Sequence, residues 1–308
     1  MTTTRPLTLL LPVLLLAAWL APAGAARAED DGVQIRPDWR QGQAARYEVW
    51  SLRQRTQEVS FGGDRQSFEV IMETTAEVSW QVDRVRDDGS AAVTMTYDWI
   101  RAEVTMPDGE QMVMDSRQRG DEHAMLRAIA GTPLAVAVEP DGSIGSVDGV
   151  DAIRRQADEP EAVPRDEDFH YTASHMATIA ASPARLDPGD QWSARLTSGH
   201  DAGRMHYDLT YRLAEVGQIA GVGVATVVSE GRLDLEVEMP EGMPPVDVRL
   251  RDASYRGQVM MDLTRREVVG RNVVETSSIE LTMDLGGQRA TQTMTEHHQS
   301  QALRISEE

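Results

Sequence analysis

The sequence predicts a mainly all-β chain: two related, long-stranded antiparallel β-meander halves forming curved sheets or a partial barrel, with a short helical insertion between them. Three observations predict it. Apolar residues alternate with polar ones at period two along many segments. Gly, Asp and Pro clusters punctuate those segments. One strand–turn–strand pattern occurs twice, on either side of a central segment of different character.

The alternation is the mark of strands with one buried face. Val78, Trp80 and Val82 alternate with Ser79, Gln81 and Asp83. Tyr207, Leu209, Tyr211 and Leu213 alternate with Asp208, Thr210 and Arg212, and Leu233, Leu235, Val237 and Met239 with Asp234, Glu236 and Glu238. Ile279, Leu281, Met283 and Leu285 repeat the pattern. The intervening polar residues keep the other face wet, as antiparallel sheets allow. Turn signals stand at Gly62-Gly63-Asp64, Asp87-Asp88-Gly89, Pro107-Asp108-Gly109, Pro140-Asp141-Gly142, Pro240-Glu241-Gly242 and Gly286-Gly287. Glycine supplies positive φ there, and Asp and Pro preset the rest of the turn.

Ser90 to Met106 is long for one strand, roughly 55 Å if extended. Its apolar phase switches midway: Val93, Met95, Tyr97 and Trp99 are odd, Ile100, Ala102, Val104 and Met106 even. A phase switch within one strand predicts a β-bulge near Trp99, where the sheet bends. Long bent strands suit a curved sheet or partial barrel.

The centre has other periodicities. Short helices are predicted at Asp121–Ala130 and Gly149–Ala157, an acidic Pro-containing linker at Gln156–Asp168, and a helix over Phe169–Ala180 that stops before Ser182-Pro183. Around this insertion the halves match. Trp80, Val82 and Val85 correspond to Tyr211, Leu213 and Val216. Ile100, Ala102, Val104, Met106, Pro107 and Gly109 correspond to Leu233, Leu235, Val237, Met239, Pro240 and Gly242. Gly42–Tyr47 resembles Gly189–Trp192 as an entry strand, and Leu134–Ile144 resembles Met260–Val268. The shared order of turns reads as a duplicated meander rather than two chance amphipathic hairpins. The expected organisation is a signal peptide at 1–28, an N-terminal β half at 29–148, a helical and acidic linker segment at 149–188 and a C-terminal β half at 189–308.

One set of residues carries a family resemblance. Trp80, Val82 and Val85, the Asp88-Gly89 turn, Val93-Thr94-Met95, Asp98, Arg101, Pro107, Gly109 and Asp115-Ser116 are followed by the strand Ala135–Glu139 and the Pro140-Asp141-Gly142 turn. In these the chain resembles an uncharacterised family of exported bacterial envelope proteins, a domain of unknown function many of whose members are lipoproteins. The resemblance implies an envelope location and assigns no catalytic residues. The chain departs from the lipoprotein members in having no cysteine.

The N-terminus fits export independently. Arg5 supplies a positive start, Leu7–Leu20 an apolar run, and Ala23-Gly24-Ala25 and Ala26-Arg27-Ala28 two small-residue cleavage sites. A fourteen-residue apolar run falls short of the ~20 residues of a membrane span, so cleavage near Ala25 or Ala28 is expected to release a periplasmic or secreted protein with no transmembrane anchor. The missing cysteine removes disulfides, thiol catalysis and a lipid-bearing N-terminal cysteine at once. All 30 basic residues are Arg, and Asn272 is the sole Asn. Codon bias is the plain reading of both. The released chain would carry 28 basic against 50 acidic residues, a net −22. Such a field repels phosphate backbones, and aromatics for base stacking are few, so nucleic acid is excluded as a partner.

No catalytic, cofactor-binding or metal-ligating residue set emerges, and no cofactor is expected. His297-His298 are adjacent on a strand, point to opposite faces and read as a solvated pair. His170 and His175 miss the i,i+4 spacing of a helical metal site. His200 and His206 flank a turn without a fourth ligand in view. Asp141, Asp148 and Asp151 lack calcium-loop spacing. No nucleophile elbow, phosphate loop or dinucleotide fingerprint is present. Met95, Met106, Met112, Met114, Met239, Met260, Met261 and Met283 sit in strand patterns, as core filler or as the lining of an apolar groove. The leading expectation is therefore a non-enzymatic binding protein for an apolar small molecule or lipid, or for another envelope protein. The alternatives are a structural or interaction protein with a filled core, and a hydrolase of unfamiliar type.

Overall fold

The computed structural model describes residues 32–305 apart from 177, 201–202, 238–245 and 286–287, with the backbone alone at 198–200, 284–285 and 288. The export segment, Met239, the Pro240-Glu241-Gly242 and Gly286-Gly287 turns, and the side chains of His200 and Leu285 lie outside the described residues.

Among the described residues twelve strands form one antiparallel sheet. In chain order they are β1 (Ala44–Phe61), β2 (Asp64–Val85), β3 (Ala91–Thr105), β4 (Gln111–Asp115), β5 (Leu134–Val138), β6 (Ile144–Asp148), β7 (Gln191–His200), β8 (Gly203–Ile219), β9 (Val222–Val237), β10 (Val246–Asp262), β11 (Glu267–Leu285) and β12 (Gln288–Ile305). The sheet order is β6-β5-β3-β2-β1-β12-β11-β10-β9-β8-β7, with β4 on the far part of β3. Each half is thus a meander, and the first and last strands join the halves along their length, from Arg46 opposite Ile305 to Phe61 opposite Ala290.

Among the described residues three α-helices interrupt the strands: α1 (Ala124–Ile129), α2 (Val150–Gln156) and α3 (Asp166–Met176). At ~4.8 Å per strand, a flat sheet would hold the edges β6 and β7 roughly 50 Å apart. Yet α3 packs against β6, β7, β11 and β12. The sheet therefore curls around this helix, its two edges left unpaired with one another. That is the expected curved sheet, not closed into a barrel.

The predicted bend is present. Glu77 pairs with Trp99 and Val78 with Tyr97, so Asp98 is the extra residue of a bulge. Burial switches phase across it, from Val93, Met95 and Tyr97 to Ile100 and Ala102. Ser79 Oγ donates to the Asp98 carboxylate at 2.6 Å. Two further bulges fall on matched residues of the repeat. Asp83 is extra beside Val82 in β2, and Ala214 beside Leu213 in β8. The Asp115-Ser116 pair folds back on this strand: Ile100 N–H donates to Ser116 Oγ at 3.0 Å, and Asp115 holds Arg117, which lies 4.3 Å over the Trp99 ring.

The helices differ from expectation at their ends. The last helix begins three residues earlier than Phe169 and ends at Met176. Asp166, Glu167 and Asp168, assigned to the linker, form its first turn, where carboxylates complement the helix dipole. Asp168 also accepts a hydrogen bond from Arg165 N–H at 3.0 Å, closing the cap. The linker itself holds a single 3-10 turn at Pro160–Ala162.

Two apolar clusters fill the curl. One joins Trp80, Val82, Met95, Leu134 and Val136 to Ile129, Ile153, Phe169, Ala173 and Met176 of the helices. The other joins Leu209, Leu213, Val227, Val259, Met261 and Val273 to Ile35, Ile179 and Leu186. Each fully buried side chain of this size contributes about 1.5–3 kcal/mol. The methionines divide: Met95 and Met261 are core, whereas Met106 and Met112 are exposed at the β3–β4 hairpin. No helix among the described residues is long and apolar enough to cross a membrane.

Candidate functional site

The helix α3 has two unlike faces. Phe169, Ala173 and Met176, at spacings of four and three, enter the N-terminal cluster. Tyr171, Ser174 and His175 face the C-terminal half of the sheet. The Tyr171 and His175 rings, four residues apart, stack at 3.8 Å.

The sheet beneath is polar where its alternation would place apolar residues. Tyr255 on β10 stands opposite Glu275 on β11, which stands opposite His298 on β12, which stands opposite Arg53 on β1. Directly paired antiparallel residues share a face, so these four side chains form one row across the curl. Arg271 shares that face of β11, four residues from Glu275, and Tyr207 and Tyr211 come from β8. Glycines make room for the row. A Cβ at Gly257 would sit 3.2 Å from the Tyr255 hydroxyl, and one at Gly231 would meet the Leu209 side chain at 2.5 Å.

Glu275 is bracketed by two phenols. Tyr207 Oη donates to one carboxylate oxygen at 3.2 Å and Tyr171 Oη reaches the other at 3.4 Å. Burial raises the Glu275 pKa to about 7, with the nearby Glu296 charge pushing the same way and the hydroxyls and Arg53 opposing. Burial, then the Glu275 charge, pushes Tyr171 and Tyr207 well up. Burial lowers His298 to about 4, and the Arg53 charge adds to it. Arg53 and Arg55 meet Glu296 at 3.2 and 2.9 Å.

Arg271 lies at the other end. Its Nη1 donates to the Ser174 and Thr178 carbonyls at 2.8 and 2.7 Å, and its Nη2 to Tyr255 Oη at 3.2 Å. It thereby caps the C-terminal end of α3, where a cation is favourable. Burial opposes its charge, but electrostatic interaction with Tyr255 and Tyr211, and the hydrogen bond to Tyr255, hold the guanidinium above its ordinary pKa. Burial, then the Arg271 charge, holds His175 well below the usual histidine range. His175 is therefore neutral. Its Nδ1–H donates to the Tyr171 carbonyl at 2.9 Å, which leaves Nε2 as a bare acceptor.

Between this cluster and the two sheet edges lies a cavity of about 230 Å³. The β5–β6 turn (Gly142, Ser143, Ile144) forms one wall, α3 and the residues after it another, and Arg195, Leu196 and Thr197 of β7 a third. Tyr207, Tyr211, Tyr255 and Arg271 form the floor. Gly142, at φ 85°, closes on the Ile179 carbonyl so tightly that any side chain there would collide. Three buried polar atoms on lining residues have no hydrogen-bond partner: Tyr211 Oη, His175 Nε2 and Arg271 Nε. Buried polar groups are paired in the great majority of cases; of the seven such unpaired side-chain atoms among the described residues, three gather on the residues lining this cavity.

The histidines are otherwise placed than expected or spent elsewhere. His298 is not solvated; it is buried on the inner face, its ring 5.1 Å from Tyr171, while His297 on the other face bonds Thr276 Oγ1 at 3.0 Å. The pairing of β12 between β1 and β11 puts His298 inside. His170 Nε2 donates to the Ile144 carbonyl at 3.0 Å. His206 bonds Thr197 and Glu236 at 3.0 Å each. Asp141 is used by Ser143, Asp148 by Ser146 and Asp151 by Arg154. Among the described residues no group of three or more His, Asp or Glu converges as metal ligands would. The sequence reading missed Arg271 and Glu275, although both break the inward phase of β11 (Arg271, Val273, Glu275, Ser277, Ile279).

No curated protein matches the chain. Among solved structures, it is similar to lipovitellin, in a structure described as lipid–protein interactions in lipovitellin, with 8% identity and a TM-score of 0.49. The match covers 86% of this chain and 26% of that one, so the chain spans about a quarter of the lipovitellin chain. A mutant of the TodX monoaromatic hydrocarbon channel matches at 8% identity and a TM-score of 0.20, over 88% of this chain and 93% of that one. A DUF1329 family protein from Desulfovibrio piger matches at 9% and 0.14, over 80% and 83%. A family model described as a family of unknown function (DUF6263) matches residues 88–168, which run from the Asp88-Gly89 turn through the β5–β6 hairpin to the first turn of α3.

Proposed function

We propose that the chain is an exported, non-enzymatic binding protein of the bacterial envelope that holds an apolar small molecule, or the apolar part of another envelope component, inside the curl of its sheet. The cavity at the seam between the sheet edges carries this reading. An apolar cavity of about 150 Å³ suffices for benzene, and this one measures about 230 Å³, with Ile144, Ile179, Leu196 and tyrosine rings among its walls. A protein with a filled core would have no such space under its central helix.

Export rests on the Leu7–Leu20 run and the Ala25 and Ala28 sites. Native mass spectrometry of protein purified from its own host tests both parts. The expected result is an N-terminus at residue 26 or 29 and a small molecule that departs on denaturation. A chain starting at Met1 overturns export. A ligand-free protein that also shows no saturable uptake of fatty acids or aromatic hydrocarbons overturns binding.

A further inference from the structure

Resting on that reading, we propose that the seam cavity takes a small organic monocarboxylate, its carboxylate on Arg271 and Tyr211 and its apolar body toward Ile144, Ile179 and Leu196. Arg271 is 4% exposed and Tyr211 fully buried. A buried guanidinium is costly unless paired and fully hydrogen-bonded. Arg271 has no carboxylate partner among the described residues, in a chain with 50 acidic side chains. Its bonds to α3 and Tyr255 use three of its five donors. The two that remain are Nε–H and one hydrogen on Nη2, borne by neighbouring nitrogens of one planar group. That is the arrangement a carboxylate meets with both oxygens.

Tyr211 adds a third donor. Burial keeps its phenol protonated, and its Oη has no partner. Three donors, two of them on the Arg271 cation, thus belong to residues that line one cavity. The acceptor His175 Nε2 is left for a ligand O–H or N–H, or for a water. The volume admits an acid with a body of about one ring or a short chain.

Calorimetry on the full chain tests this with straight-chain acids from butanoate to octanoate and with 3-phenylpropanoate, each against its methyl ester. The acids are expected to bind roughly 10- to 100-fold tighter than the esters, the worth of hydrogen bonds to a charged group. Tyr211→Phe, which removes one oxygen and keeps the ring, is expected to narrow that ratio while the ester affinity stays as it was. Arg271→Gln should abolish the ratio, and the Tyr211→Phe result stands even if that variant does not fold. Esters binding as tightly as the acids would overturn the carboxylate and leave the binding reading intact. No binding by any acid or ester, with no ligand on the native protein, would overturn both, the donors then being served by water alone.

Discussion

The two faces of α3 meet two different interiors. Toward the N-terminal half, Phe169, Ala173 and Met176 join an apolar cluster in which shape does the work. Toward the C-terminal half, Tyr171 and His175 meet tyrosines, a carboxyl group and a guanidinium. If the halves are a duplicated meander, with bulges at Asp83 and Ala214 on matched residues, they share a frame and differ in what fills it. A filled apolar side stabilises without discriminating among ligands. A polar side left partly unpaired gives up stability for recognition.

Substitutions can break that contrast. Phe169→Ala on the apolar side removes a buried ring that meets Tyr97 edge-on at 6.1 Å, and should cost about 3–5 kcal/mol in denaturant unfolding. A loss below ~1 kcal/mol would mean the two sides are not distinct in kind.

On the polar side the expected effect is a pH dependence with two opposed arms. Glu275 has a pKa of about 7 in the fold against 4.5 unfolded. Between those values the folded chain binds more protons, so its contribution is full below pH 4.5 and lost as pH rises through 7, about 3 kcal/mol in all. His298 is held at about 4 against 6.5. There the unfolded chain binds more protons, so stability is full above pH 6.5 and lost as pH falls through 4, again by about 3 kcal/mol. Thermal unfolding of Glu275→Gln from pH 4 to 8 should lack the loss on the alkaline side, and His298→Gln the loss on the acid side. Parallel curves for wild type and both variants would refute the assignment.

The finest contrast lies between two tyrosines of one strand. Tyr207→Phe removes a donor to Glu275 and should cost about 1–3 kcal/mol. Tyr211→Phe removes a hydroxyl with no partner and should be neutral or stabilising by up to ~1 kcal/mol. Equal losses in both would show that Tyr211 is already satisfied.

Much of the frame was legible because it obeys local rules. The switch of apolar phase beside Trp99 marked the bulge at Asp98, and the Gly-containing turns at 62–63, 87–89, 107–109 and 140–142 fall where their residues place them. The helix boundary was misplaced because an acidic, Pro-flanked stretch has the composition of a linker, while its three carboxylates serve equally as the first turn of a helix. His298 was misread because a strand's composition does not say which neighbours cover its face. The cavity was out of reach for a stronger reason. Its walls come from the β5–β6 turn, α3, β7, β8, β10 and β11, brought together only when the sheet curls. What the sequence did carry was the wrong residue type in the right phase, Arg271 and Glu275 among inward positions.

The pairing of β1 with β12 has a consequence in time. A chain is made from its N-terminus, and the neighbour that β1 needs on one side is β12, the last of the described strands to emerge. Until then the N-terminal meander carries a long open edge, a template for other chains. The strand contacts that join the halves span almost the whole sequence, which slows closure. Removing residues 288–308 should therefore do more than shorten the sheet: it would leave two half-sheets with bare edges at β1 and β11, and such a fragment should aggregate rather than fold as a smaller version of the whole.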